Sequence, residues 1–151
     1  MSRELHIQQI RLESRALDHV AQALTSALDW KVVGDGFVRK LSSVRFFADL
    51  YQRHVERLFA LGEIGGFMED VSRLHPELAN QVDQLRANHE KFRAAIRESI
   101  VRISLASPDK VTEFETICEK LRATVREVID SLRCESELLV DSLNQDTGGE
   151  G

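Results

Sequence analysis

Val82-Asp-Gln-Leu85-Arg-Ala-Asn-His89-Glu-Lys-Phe92-Arg-Ala-Ala-Ile96-Arg-Glu-Ser99-Ile100-Val-Arg-Ile103 is the stretch that decides the fold. Apolar residues return every three or four positions, at Val82, Leu85, Phe92, Ile96 and Ile103. Ser99 and Ile100 share one step of the row, and His89 stands in it. Such spacing lines one face of an α-helix and is close to the heptad of bundle seams.

His75-Pro76-Glu77 reads as the start of this helix, since proline at a first helical position forfeits no intrahelical bond. Ser107-Pro108-Asp109 marks the next start, with Ser107 as N-cap and Asp109 at the positive end of the helix dipole. From there a fourth helix is expected to about Leu143, on the stripe Val111, Phe114, Ile117 or Cys118, Leu121, Val125, Val128, Leu132, Glu135 and Leu139. Upstream, Ile7, Ile10, Leu17, Ala21, Leu24 and Leu28 define a first helix over about Glu4 to Trp30, with Ser14 interrupting its stripe. Gly34-Asp35-Gly36 breaks that helix. A second runs from about Val38 to Leu61 on Leu41, Val44, Phe47, Tyr51, His54 or Val55, and Leu58. Glu63-Ile64-Gly65-Gly66 predicts a bend, and Phe67 to Val71 a short helical turn after it. Four long amphipathic helices with short connections predict an all-α, up-down four-helix bundle. The 151 residues fit one domain over 1–151, with 144–151 a tail that is loose at its end.

Composition narrows the function classes. Two prolines and eight clustered glycines leave long runs free of breakers, which suits helices better than many short strands. The net charge is −5 and the basic residues alternate with acids, so no run supplies the basic patch that phosphate neutralisation needs. No nucleic-acid partner is expected. The N-terminus lacks an apolar core of signal-peptide length, and no apolar run approaches the roughly 18 residues of a membrane span. A cytoplasmic protein without a membrane partner is expected, with homo-oligomerisation left open. Cys118 and Cys134 lie sixteen residues apart on one expected helix. At about 1.5 Å rise per residue that is roughly 24 Å, too far for an intrachain disulfide. No Gly-rich phosphate loop, nucleophile elbow or Cys-x-x-Cys pair is present, so no metal-independent enzyme is expected.

His89 and Glu135 stand in core-facing register. Burying an ionisable group is costly unless it is paired or binds a metal, and four-helix bundles build metal sites from inward His and carboxylates. A buried, hydrogen-bonded histidine and a glutamate reaching solvent are the plainer reading. His19 lies beside the first helix's main stripe, on a row with Leu12, Ala16 and Ala23. His6, His54 and His75 read as surface or helix-end residues.

Three segments carry a family resemblance. Leu58-Phe-Ala-Leu-Gly-Glu-Ile-Gly-Gly-Phe-Met-Glu-Asp-Val71 resembles the second-helix stretch of bacterial hemerythrin-like (HHE cation-binding) domains, which read His-Phe-x-x-Glu before a Gly-Gly-Tyr-like turn. Leu85-Arg-Ala-Asn-His89 is similar to the family's Leu-x-x-x-His, and Glu135 to Gly148 to its closing Glu-Asn-x-Leu-Leu-x-x-x-x-Asn-x-Asp-x-Gly. Asp18-His19 stands where the family tends to have Glu-His.

The resemblance implies a bundle enclosing a non-haem di-iron centre held by histidines and two carboxylates. Several of those positions are altered here. The second-helix His falls on Leu58, its Glu partner on Gly62 beside Glu63, and the fourth-helix His on Ser131. Leucine and glycine side chains coordinate nothing, and a serine hydroxyl is a poor iron ligand. His19, His89 and Glu135 are left as metal candidates, with Glu63 and His54 as recruits. The expectation is therefore a non-enzymatic binding or interaction protein with a degenerate metal site and no cofactor. The alternative is a sensor, responsive to oxygen or redox state, that binds non-haem iron or another metal through an altered ligand set.

Overall fold

The structure, a computed structural model, describes residues 3–63 and 67–148. The helices are α1 (Arg3–Asp29), α2 (Phe37–Glu63), α3 (Phe67–Leu74), α4 (Ala79–Ser104) and α5 (Val111–Gly148), and no strand occurs among the described residues. α1, α2, α4 and α5 form an all-α four-helix bundle in which each packs on the next and α5 returns to α1. The short α3 packs on α2 and α4. The bend expected at Ile64-Gly65-Gly66 lies outside the described residues. The backbone of α5 stays helical to Gly148, past the end expected at Leu143, and 149–151 lie outside the described residues. Among the described residues no helix is long and apolar enough to cross a membrane.

The apolar stripes become the core. Leu17, Leu24, Val44, Val55, Ile96, Leu121 and Val128 are buried in one main cluster. Met68, Val71, Val82, Leu85 and Leu138 form a second, smaller one. Where the sequence left alternatives, Val55 is buried rather than His54, and Ile117 and Cys118 are both buried. Cys134 is exposed and both thiols are free.

The α1–α2 connection turns at Gly34, whose φ of +68° is strained for residues with a Cβ. α1 and α4 end at the same end of the bundle, and cations from neighbouring helices close their last carbonyls. Lys40 Nζ donates to Leu28 O at 2.9 Å and Trp30 O at 2.7 Å. Arg122 Nη2 donates to Leu28 O at 3.1 Å and pairs with Asp29 at 2.6 Å. Arg45 Nη2 reaches the carbonyls of Ile103 and Ser104 at 3.3 and 3.1 Å. Each cation meets the negative end of a helix dipole and carbonyls that have no intrahelical donor.

Ser107 is extended, as an N-cap should be, but its hydroxyl makes no capping bond. The first turn, Pro108–Lys110, is a 3-10 turn, closed by the Lys110 N–H donating to Ser107 O at 3.0 Å. Pro76–Leu78 is likewise a 3-10 turn before α4.

Candidate functional site: a buried charge chain

Between the two apolar clusters, α4 brings His89 into the bundle fully buried. Its ring stacks on Phe59, with centroids 3.9 Å apart and planes at 6°. Nδ1 lies 2.7 Å from Glu63 Oε1 and Nε2 lies 2.9 Å from Glu135 Oε2. A carboxylate only accepts, so with both carboxylates ionised both ring nitrogens donate and the ring is an imidazolium. Burial disfavours that charge, but the hydrogen bond and charge of Glu135, then those of Glu63, outweigh it and raise the His89 pKa.

Glu63 is the last residue of α2, and from that position its carboxylate is shared. Arg93, one turn after His89 on α4, holds it bidentately, Nη1 to Oε1 at 3.0 Å and Nη2 to Oε2 at 2.9 Å. Burial acts to raise the Glu63 pKa, but Arg93 and then His89 bring it below its ordinary value. Arg93 extends the chain outward, with Nε 3.0 Å from Glu56 Oε2 and Nη1 2.8 Å from Glu90 Oε1. Its guanidinium also lies 5.3 Å from the centre of the Phe59 ring. The inner sequence Glu135, His89, Glu63, Arg93 alternates in sign and sums to zero.

Gly62 makes the site possible. A Cβ there would lie 2.9 Å from Glu135 Oε1 and 3.5 Å from Met68 Cε. The absent side chain is what admits the Glu135 carboxylate. Leu58 is buried in the main core, where it packs rather than coordinates.

Of the five candidates, the fold unites His89, Glu63 and Glu135 and leaves out His19 and His54. His19 is exposed on α1; in its row Leu12 is exposed as well, whereas Ala16 and Ala23 are half-buried. His54 turns to Glu13 instead, Nδ1 to Oε2 at 3.2 Å. His75, expected at the surface or at a helix end, directly follows the last residue of α3, where it is buried and lies 3.4 Å from Glu77. Sequence reasoning missed Arg93 and Glu56. The one signal was Arg93 four residues after His89, on the same helical flank.

The implied di-iron centre does not fit this arrangement. Glu63 and Glu135 approach opposite nitrogens of one ring, so the three groups do not point at a common ion. Among the described residues, no group of three or more His, Cys, Asp or Glu side chains is placed to hold a metal. Comparison with family models, with curated proteins and with solved structures finds no match, so the fold and this charge chain are what the chain offers for a functional reading.

Proposed function

We propose that the chain is a hemerythrin-like bundle whose centre is closed by its own charges and which acts by contacting another protein, without catalysis. The observation that carries this reading is the double engagement of His89, whose protonated ring occupies the bundle centre as a resident cation between two carboxylates. Leu58 and Gly62, where the family would have ligands, serve packing and clearance instead.

The contact surface is supported by the end of the bundle where α1 meets α2 and α4 meets α5. Val33 is 88% exposed and Leu105 74% exposed there. Trp30, Val38, Val101 and Val111 from the same end are exposed as well. Grouped apolar exposure of this kind marks interaction surfaces more often than scattered single residues do.

The test is elemental analysis of protein purified from iron-supplemented culture, followed by anaerobic loading with iron or zinc. Substoichiometric metal in both is the expected result. Two irons per chain would overturn the reading, and a single metal lost in His89→Ala would replace it with the metal-sensor alternative.

A further inference from the structure

Among the described residues, α1 alone of the four long helices buries nothing over half its length. Residues 4–16 are all exposed or half-buried, whereas the second half buries Leu17, Ala21, Leu24, Ala27 and Leu28. The other three helices stay buried at that end of the bundle: α2 through Leu58 and Phe59, α4 through Val82 and Leu85, α5 through Glu135 and Leu138. The sequence explains the contrast. Ser14 stands where the row Ile7, Ile10, Leu17 needs an apolar residue, so the row delivers no buried side chain before Leu17. A cavity of about 230 Å3 opens at this point, with Ser14 and Leu17 of α1 on one side and Leu132 and Ser136 of α5 on the other.

The first half of α1 is held against α2. Ile10, half-buried, packs on the main core. His6 Nε2 donates to Leu61 O at 2.6 Å, and His54 Nδ1 donates to Glu13 Oε2 at 3.2 Å. These are part-buried polar contacts, small beside the apolar area that the second half of α1 buries. The end of the bundle beneath is tied together without α1. Its charge layer joins Glu63 of α2, His89 and Arg93 of α4, and Glu135 of α5. Its smaller apolar cluster draws on α3, α4 and α5. Undocking the first half of α1 therefore breaks none of these ties.

We propose that residues 3–16 form an arm that opens as one unit while the rest of the bundle stays folded, the break falling between Ser14 and Leu17. Once undocked, a helix of this length is marginal in water, so its backbone hydrogen bonds open with it. Opening uncovers Ile7 and Ile10 on the arm and the face of α2 that carries His54 and Leu61. The proposal goes beyond the interaction reading: it names a moving part, and it depends neither on a partner nor on metal content.

Amide hydrogen exchange of the full chain, read residue by residue by NMR in sub-denaturing urea, tests it. Amides of 7–16 should merge on one isotherm of shallow urea slope, at least about a hundredfold less protected than those of 21–28, which should join global unfolding. Two variants probe the docking. His54→Ala removes the partner of Glu13 from outside the arm and should speed exchange across 7–16 by about two- to fivefold, leaving 21–28 unchanged. Ser14→Leu completes the apolar row beside a cavity with room for the side chain, and should slow 7–13 by at least about tenfold. A uniform change across the arm in either variant supports a single unit. A smooth gradient of protection from the N-terminus would mean ordinary fraying and overturn the proposal. So would arm amides that exchange only on global unfolding, or an arm unchanged in both variants.

Discussion

Nε2 of His89 stands 2.9 Å from Oε2 of Glu135, and both side chains are buried. Two charges removed from water hold each other in place, so deleting one leaves the other uncompensated. His89→Ala should lower the unfolding free energy by about 3–5 kcal/mol in urea titration. The double replacement His89→Leu with Glu135→Leu removes both charges and should recover most of that loss. If the double variant is as unstable as the single one, the pair is not the source of the effect.

Stability should depend on pH in two directions. His89 has its folded pKa raised above its ordinary value of 6.5, so its contribution is complete below about pH 6.5 and is lost as pH rises through the folded value. Glu63 has its pKa lowered from 4.5, so its contribution is present above about pH 4.5 and is lost as pH falls through the folded value. Urea midpoints between pH 3 and 10 should therefore peak between these limits. In the double leucine variant the decline on the alkaline side should flatten.

Gly62→Ala sets two effects against each other. Alanine favours the helix by about 1 kcal/mol, but its Cβ would meet Glu135 Oε1 at 2.9 Å. A free glutamate tip would swing away at little cost; this one is held by His89. A net loss of about 1–2 kcal/mol is expected. In a Glu135→Ala background the same change should become stabilising, and a double-mutant cycle by thermal unfolding reads the difference.

Lys40→Met keeps much of the buried stem and removes the ammonium that Leu28 O and Trp30 O accept from. Loss of the cap should destabilise the protein by about 1–2 kcal/mol. Amide exchange should accelerate first in the last turn of α1.

Cys134 is exposed, whereas Cys118 is buried and its thiol pKa is raised chiefly by that burial. Native thiol titration should count one reactive cysteine per chain, and denaturation should release a second. Two fast thiols in the native protein would contradict the packing around Cys118.

The helices were legible because their apolar residues recur with the helical period. His89 and Glu135 were legible for the converse reason, as charges on apolar rows. Glu63 was harder, since it stands one position beyond Gly62, where the resemblance looks for a carboxylate, and only the tertiary contact shows it beside His89. Arg93 lies off the stripe and is drawn in by Glu63, a tertiary effect that periodicity does not carry. Lys40 was invisible because a lysine outside an apolar row reads as solvated, whereas here the stem is buried and the tip caps a helix from another segment. Gly62 read as a missing ligand, and only the approach of Glu135 from α5 shows that its emptiness is used.

The charge layer falls at one height in three helices: after Leu58 and Phe59 in α2, between Leu85 and Phe92 in α4, and between Val128 and Leu138 in α5. Seams made only of leucine and valine tolerate a slide of one heptad, because every layer resembles the next. Sliding α4 by seven residues would set Val82 or Ile96 between Glu63 and Glu135 and strand both carboxylates in apolar surroundings. The layer thus works as an alignment pin: whatever else it does, it leaves the helices one permitted way to lie against one another.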